Sequence, residues 1–345
     1  MIDSMQRVNI AMSHREPDRV PLFLFPTLHG ARELGAGLPE YFSKSSLMIE
    51  GQLRLLKKYG SDCASSSAYA SMELEAFGGK TIFLEDGPPN AAGPVIAASG
   101  IDALVAPEVA DSPSLLRGLD VIRGLKEKLG DSVPIVASVI SPFSLPIMQL
   151  GFGPYLELLH EDRERFDRLM KINMKFCVDW ANAQLSAGAT AIGYADPMSS
   201  STIIPRALYL ETGYRIARET FSKIRGNVAL HLASGRGLPI AEKIAETGAV
   251  GVAVSALEEL SEWKSAVGRK LTLIGNLNGI AMRNWSSEDT EREVKRTISE
   301  AAKGGGFILS DNHGEIPWQV PEEVLLSIRD AVDAWGNYPL VWTKK

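Results

Sequence analysis

Apolar runs of strand length alternate with amphipathic stretches along most of the chain. Eight runs rich in apolar and β-branched residues predict strands at residues 20–25, 62–65, 133–140, 189–195, 227–231, 250–254, 271–275 and 307–310. Elsewhere apolar residues recur at spacings of three and four, as at Phe166, Leu169 and Ile172, which places them on one face of a helix. This pattern predicts helices at residues 47–59, 163–187, 238–246, 258–267, 287–303 and 321–335. The alternation is typical of a parallel sheet covered by helices.

The number of strands indicates the fold class. Eight strands that alternate with helices predict an α/β protein, a closed (β/α)₈ TIM barrel with N-terminal additions near the barrel mouth. Such a barrel takes roughly 250 residues, so a chain of 345 residues has sequence to spare. We interpret residues 78–107, which are rich in Gly, Pro and Ala, as a small β excursion near the mouth. The chain is then a single domain over residues 1–345.

Composition excludes several classes of protein. A hydrophobic fraction of 45% and a charged fraction of 23% are those of an ordinary globular protein, and a net charge of −6 argues against binding to nucleic acid or to an anionic membrane. No run of roughly 18 apolar residues predicts a membrane span, and the first residues lack the pattern of a secretory signal, so we expect a cytoplasmic protein. Cys63 and Cys177 form no C-x-x-C pair and are interpreted as small buried apolar residues.

Polar residues follow four of the predicted strands. His231, His313, Asp196 and the pair Asn276 and Asn278 all stand at carboxyl ends, where TIM barrels place their chemistry. Each has a structural alternative: His231 as a hydrogen-bonded strand end, Asp196 as a helix cap, and the asparagines as turn residues. Their convergence on one mouth favours a site in which His313, His231 and Asp196 are catalytic.

The segment around His313 is the most polar of the strand ends. Asp311, Asn312, His313 and Glu315 occupy four of five positions, more than a simple connection needs. The segment approaches the D-x-H-x-x-G motif of corrinoid-carrying domains, but Ile316 stands in the last position. We therefore expect that this chain does not itself carry a cobalamin.

Taken in order, these segments and several others resemble the uroporphyrinogen decarboxylase superfamily, and within it the corrinoid-dependent methyltransferase branch. The resemblance extends from about Arg15 to Trp335. It rests on short motifs in a shared order: Glu16-Pro17-Asp18-Arg19-Val20-Pro21, Ser141-Pro142-Phe143, Ala195-Asp196-Pro197, Leu230-His231, Gly275-Asn276, His313-Gly314 and Pro321-Glu322-Glu323-Val324.

The decarboxylase branch is the poorer match. Its members bind substrate carboxylates with two arginines in an Arg-Gln-Ala-Gly-Arg segment, whereas this chain has Pro26-Thr27-Leu28-His29-Gly30-Ala31-Arg32 there. Tyr69 falls near the place of that branch's catalytic aspartate. A tetrapyrrole with eight carboxylates needs the missing positive charge.

The methyltransferase branch implies a metal, although its motif is altered here. Its zinc enzymes that act on thiols use His-x-Cys and a distant cysteine, but this chain has His231-Leu232-Ala233 and, at the distant place, His313. Two histidines and a carboxylate can hold a catalytic zinc. Asp196, Asp311 or Glu315 is a candidate for the carboxylate, and the expected set is His231, His313 and Glu315. The lost cysteines argue against a thiol as methyl acceptor.

The resemblance therefore implies a corrinoid-dependent methyltransferase. We expect it to move a methyl group from a small aryl methyl ether or methylamine to cob(I)alamin on a separate corrinoid-binding protein. The expected substrate-binding residues are Tyr69, Tyr194, Asn276, Asn278, Trp318 and His29. Two alternatives stay open: a decarboxylase acting on a porphyrinogen or smaller acid, and a non-catalytic binding protein built on the same barrel.

Overall fold

A computed structural model describes residues 2–66 and 69–343 of the chain. It contains eight parallel strands close to the eight predicted runs: β1 Leu22–Phe23, β2 Ala64–Ser65, β5 Ile135–Ile140, β6 Ala191–Ala195, β7 Asn227–His231, β8 Gly251–Ala253, β9 Thr272–Asn278 and β10 Phe307–Asn312. A separate antiparallel pair is formed by β3 Thr81–Ile82 and β4 Asn90–Ala91. The predicted (β/α)₈ TIM barrel is confirmed.

Helices surround the barrel strands. The α-helices are α1 Ser4–Met12, α2 His29–Leu34, α3 Leu38–Ser43, α4 Ser45–Tyr59, α5 Ser71–Ala76, α6 Pro113–Leu129, α7 Pro146–Leu150, α8 Phe152–Glu161, α9 Arg163–Ala187, α10 Arg206–Glu211, α11 Gly213–Phe221, α12 Ala241–Ile244, α13 Leu260–Val267, α14 Ser287–Ala301 and α15 Glu322–Trp335. Short 3₁₀ helices occur at Ala98–Ala103, Val109–Asp111, Pro197–Ser199, Leu238–Ile240 and Ala281–Asn284.

The barrel closes between its first two strands. The strand order is β1-β10-β9-β8-β7-β6-β5-β2, with every neighbouring pair parallel. The Asp62 N–H donates to the Leu22 carbonyl at 2.6 Å, which joins β2 to β1. The buried Asp62 carboxylate also pairs with Arg7 at 2.7 Å and Arg19 at 2.8 Å. Because these bonds tie the two ends of the sheet together, the carboxyl ends of all eight strands form one mouth.

Helix starts and buried faces follow the local sequence. Ser286 and Asp289 form a capping box at the start of α14, and the Asp162 carboxylate accepts from the Arg165 N–H at the start of α9. The apolar faces of these helices pack on the sheet, and Trp180 of α9 is 1% exposed. The core therefore lies mainly between the strands and the helix layer.

The two-stranded excursion lies beside the mouth. Its strands β3 and β4 pair antiparallel. The cavity described below is lined in part by Pro88 and Pro89, which lie between the two strands, and by Asn90, the first residue of β4. In the described residues, no helix combines the length and hydropathy needed to span a bilayer.

Candidate active site

A cavity of about 360 Å³ opens inside the barrel at the carboxyl ends of the strands. It is bounded mainly by inward-facing residues of β5 and β6 and by the segments that follow β1, β2 and β10. The lining side chains include Phe25, Thr27, Tyr69, Met72, Glu73, Val136, Ser138, Ile140, Trp180, His231 and Glu315. No lysine or arginine of the described residues lines it. The volume is at the small end of the range for ligand pockets, about 300–1,000 Å³.

His231 lies in the cavity wall as the last residue of β7. Its Nδ1 accepts the Ala233 N–H at 2.9 Å, so in the neutral ring the proton is on Nε2. Burial, with a smaller contribution from His313, lowers the pKa of His231 to about 4. At neutral pH this histidine is an uncharged ring that can donate one hydrogen bond.

His313 lies beside the mouth and does not line the cavity. Its ring is held between Ser234 Oγ at Nδ1 and Asn278 Oδ1, which lies 3.2 Å from Nε2. The Asn278 oxygen also accepts the N–H groups of Ile280 and Ala281, so it is an acceptor toward the histidine, and the serine hydroxyl is then the donor. Burial lowers the pKa of His313. The structure thus brings Asn278 and His313 together, as a fixed pair at the mouth.

Asp196 organises a loop and does not line the cavity. Its buried carboxylate accepts the hydroxyls of Ser141, Ser144 and Ser199 at 2.5–2.7 Å. Burial raises the pKa of Asp196, and the three hydroxyl bonds oppose that rise. Its oxygens are engaged by neighbouring loop residues because the chain turns sharply after β6, so the structure does not bring Asp196 together with His231 in the cavity wall, and its catalytic role stays a prediction.

Tyr194 and Asn276 face the helix layer and not the cavity. The Tyr194 ring is buried against Phe221 of α11, since inward positions of β6 are taken by Gly193 and Ala195. Asn276 Nδ2 donates to the carbonyls of Ser255 and Glu258, and its Oδ1 accepts from Arg296. Neither residue lines this cavity, so the structure does not bring them together with the residues of its wall.

His29 and Trp318 belong to a contact between α2 and the segment after β10. His29 Nε2 donates to the Pro317 carbonyl at 3.1 Å, and burial lowers the pKa of His29 to about 4. The Arg32 guanidinium stacks 4.3 Å from the Trp318 ring centre and donates to the Trp318 carbonyl. These residues are absent from the cavity wall and fix the backbone that follows Glu315, and their contact with substrate stays a prediction.

Tyr69 and Glu315 do line the cavity. The Tyr69 hydroxyl donates to Glu75 at 3.0 Å and accepts from Arg117 at 2.8 Å, which fixes its ring in the wall. Glu315 Oε1 accepts the Leu28 N–H at 2.7 Å, and burial raises the pKa of Glu315 to about 8. Glu315 is therefore mainly protonated at neutral pH.

The predicted zinc ligands do not fit a metal ion in this arrangement. His231 and His313 each use Nδ1 as an acceptor, which leaves the proton on Nε2, and both His313 nitrogens are engaged. Asp311 accepts the Phe25 N–H at 2.8 Å, and burial raises its pKa to about 7. Across residues 2–66 and 69–343, no three His, Cys, Asp or Glu side chains form a group that could hold a metal ion.

Glu73 is a cavity residue that no sequence motif marks. It lies in α5, in the segment that follows β2, and is 5% exposed. Its Oε1 accepts the Ile140 N–H at 2.9 Å, and burial raises the pKa of its carboxyl to about 8. The available signal was an acidic residue among apolar ones after a strand end, but Met72-Glu73-Leu74 has no motif to distinguish it.

A larger open groove of about 680 Å³ lies on the outside of the barrel, along α9 and α11. Its wall carries Arg163, Lys171, Asp179 and other charged residues. It is remote from the strand ends, so the barrel cavity is the better candidate for chemistry.

Comparison with known proteins places the chain in a recognised group. The family model described as "Uroporphyrinogen decarboxylase (URO-D)" matches residues 3–335. A uroporphyrinogen decarboxylase of Alkalilimnicola ehrlichii is 26% identical over 93% of this chain and 92% of its own length. The methylcobamide:CoM methyltransferase MtaA of Methanosarcina barkeri is 23% identical over 63% of each chain. A methyltransferase structure from Methanosarcina mazei superposes with a TM-score of 0.85 at 20% identity, covering 97% of this chain and 99% of its own, which shows a shared fold.

Proposed function

Since the chain belongs to the uroporphyrinogen decarboxylase family, we propose that it is a methyltransferase of that family. Its substrate is a small methylated compound, an aryl methyl ether or a methylated amine. The methyl group passes to a reduced corrinoid carried by a separate protein. Similarity to a methylcobamide:CoM methyltransferase supports this branch, whereas similarity to decarboxylases supports the family as a whole.

The observation that carries the proposal is the chemistry of the cavity wall. Most of the wall is apolar, no cationic side chain of the described residues lines it, and it includes two carboxyls, Glu73 and Glu315. A polycarboxylate such as uroporphyrinogen needs arginine or lysine partners for its negative charges. The neutral carboxyls of Glu73 and Glu315 cannot supply that positive charge. The cavity thus favours a small substrate without carboxylates over a tetrapyrrole.

The wall can also assist a leaving group. Burial raises the pKa of Glu73 and of Glu315 to about 8, so both are proton donors at neutral pH. The rings of Phe25, Tyr69 and Trp180 exclude water and provide apolar contact for a small ring. The corrinoid on its partner protein supplies the nucleophile for the methyl carbon. Because the zinc ligand set does not fit, the proposal assigns no role to a metal.

A reconstituted assay tests this function. The purified protein is mixed with a corrinoid protein reduced to the cob(I)alamin state and with a methoxylated aromatic or a methylated amine. Loss of the cob(I)alamin absorbance that requires both the protein and the methyl donor is the expected result. Incubation with uroporphyrinogen is the parallel arm. Formation of coproporphyrinogen without methyl transfer would replace the proposal with a decarboxylase.

A further inference from the structure

Two buried polar atoms in the cavity wall lack hydrogen-bond partners. They are Oε2 of Glu73, on α5, and Nε1 of Trp180, on α9. Both side chains line the cavity, and they are 5% and 1% exposed. Glu73 Oε1 is already used by the Ile140 N–H, so Oε2 is the free oxygen of that carboxyl. Buried polar atoms are rarely left unpaired, and two in one wall indicate a place where a ligand supplies the missing partner.

The two side chains lie close to each other. The Trp180 indole acts on Glu73 as a hydrogen-bond donor and so opposes part of the rise in its pKa that burial causes, although no hydrogen bond of good geometry joins the two side chains. Cys177, also on α9, is a titratable group that interacts electrostatically with this carboxyl. The structural alternative is that the indole and the carboxyl pair only with each other, so the test must separate a pair from a binding site.

We propose that Glu73 and Trp180 form an oxygen-binding subsite that receives the ether oxygen of a neutral aryl methyl ether, and that Glu73 donates the proton to this oxygen. This inference rests on the proposed function and narrows its substrate class. An ether oxygen has two lone pairs and no proton, so it can accept from the indole N–H and the carboxylic O–H together. A methylammonium cation has no lone pair and cannot accept a hydrogen bond from either donor.

The transfer step balances with these groups. The bond between the methyl carbon and the ether oxygen breaks, and its electron pair stays on the oxygen. That oxygen takes the proton of Glu73 and leaves as a phenol, while Glu73 becomes a carboxylate. The methyl carbon forms its new bond with the electron pair of the reduced corrinoid supplied by the partner protein. The raised pKa of Glu73, about 8, keeps the required proton in place at neutral pH.

Ligand binding tests the subsite without methyl transfer. We compare 2-methoxyphenol with 2-ethylphenol by calorimetry, because the two differ only in the ether oxygen. The wild type is expected to bind the methoxy compound about tenfold more tightly, as one or two added hydrogen bonds imply. Trp180→Phe and Glu73→Leu remove the two donors and are expected to abolish this preference. Trp342→Phe, which removes an indole N–H bonded to the Trp335 carbonyl away from the cavity, is the matched control.

Glu73→Gln separates binding from proton donation. Its amide N–H can still donate to the ether oxygen, so the preference for 2-methoxyphenol is retained. The amide cannot deliver a proton, so methyl transfer from 2-methoxyphenol should fall about 100-fold or more. This split between binding and rate would not result if the carboxyl had only a structural role.

The outcomes distinguish this inference from the proposed function. Equal binding of the two phenols by the wild type, or an unchanged preference in both Trp180→Phe and Glu73→Leu, overturns the subsite. Failure to bind either phenol while a methylated amine is demethylated also overturns it and leaves the proposed function standing. Failure of every methylated substrate in the reconstituted assay removes both.

Discussion

Replacing Glu73 by glutamine is expected to stabilise the protein, because this carboxyl is buried without a charged partner. Its pKa is about 8 in the folded chain, against 4.5 for an ordinary glutamate. Between these pH values the native state holds one proton more than the unfolded chain. The free energy of unfolding therefore falls by about 1.4 kcal/mol per pH unit as the pH rises through this window. Below about pH 4.5 the group has no effect, and above about pH 8 the loss is complete.

The magnitude at neutral pH follows directly. At pH 7 about 2.5 pH units of the window have been crossed, so the carboxyl destabilises the fold by roughly 3 kcal/mol relative to a group that stays neutral. Glu73→Gln stays neutral and keeps an oxygen for the Ile140 N–H. We expect up to about 3 kcal/mol of added stability at pH 7 and little difference near pH 4.5.

The same substitution at Glu258 should destabilise the protein. The buried Glu258 carboxylate accepts the N–H groups of Gly237, Leu238 and the Trp263 indole at 2.8–3.1 Å. In Glu258→Gln the amide NH2 would face N–H groups that need an acceptor. This mismatch should lower the free energy of unfolding by about 1–3 kcal/mol. Glu127→Gln, on a side chain that is 78% exposed, is the neutral control.

Urea unfolding followed by tryptophan fluorescence at several values between pH 5 and 8 measures these differences. We expect the free energy of unfolding to depend less steeply on pH for Glu73→Gln than for the wild type. The difference in slope should correspond to one proton. Parallel pH profiles for the wild type and Glu73→Gln would refute the argument that this carboxyl is protonated in the native state. If Glu73→Gln is less stable than the wild type at pH 7, the conclusion that the Glu73 carboxyl destabilises the fold for lack of a charged partner is wrong.

Four further predictions concern the mouth and its supports. The catalytic role expected for His313 from the sequence predicts that His313→Ala lowers methyl transfer about 100-fold or more with an unchanged circular dichroism spectrum; full activity would leave proton donation to the carboxyls of the cavity wall. Asp196→Ala should cost about 3 kcal/mol in urea unfolding because three serine hydroxyls lose their acceptor. Gly213→Ala should cost about 1–3 kcal/mol, since the new Cβ would lie 2.0 Å from Ser199 Oγ, and an unchanged melting temperature would contradict this clash. Chelator treatment should leave methyl transfer unchanged, and its loss, restored by zinc, would contradict the ligand geometry.

The order of apolar runs was sufficient to predict the barrel. Period-two runs and helical spacing depend only on which residues are neighbours in the chain, and all eight predicted strands are present near their predicted bounds. Because parallel strands end at one edge, the sequence also predicted that residues such as His231 and Glu315 would stand at the mouth. Both line the cavity.

Only the tertiary structure decided which strand-end groups face that cavity. Asp196, Tyr194 and Asn276 stand at the expected ends of their strands, but their side chains contact other groups. Asp196 accepts from serine hydroxyls, Tyr194 packs on Phe221, and Asn276 donates to backbone carbonyls. Glu73 became a site residue because α5 folds over the mouth and brings it beside Trp180, which is distant in sequence. The burial of a side chain and its hydrogen-bond partners depend on which residues the fold brings together, and they set its pKa. The sequence by itself therefore determined at which end of the barrel the cavity lies, and the packing determined which groups line it.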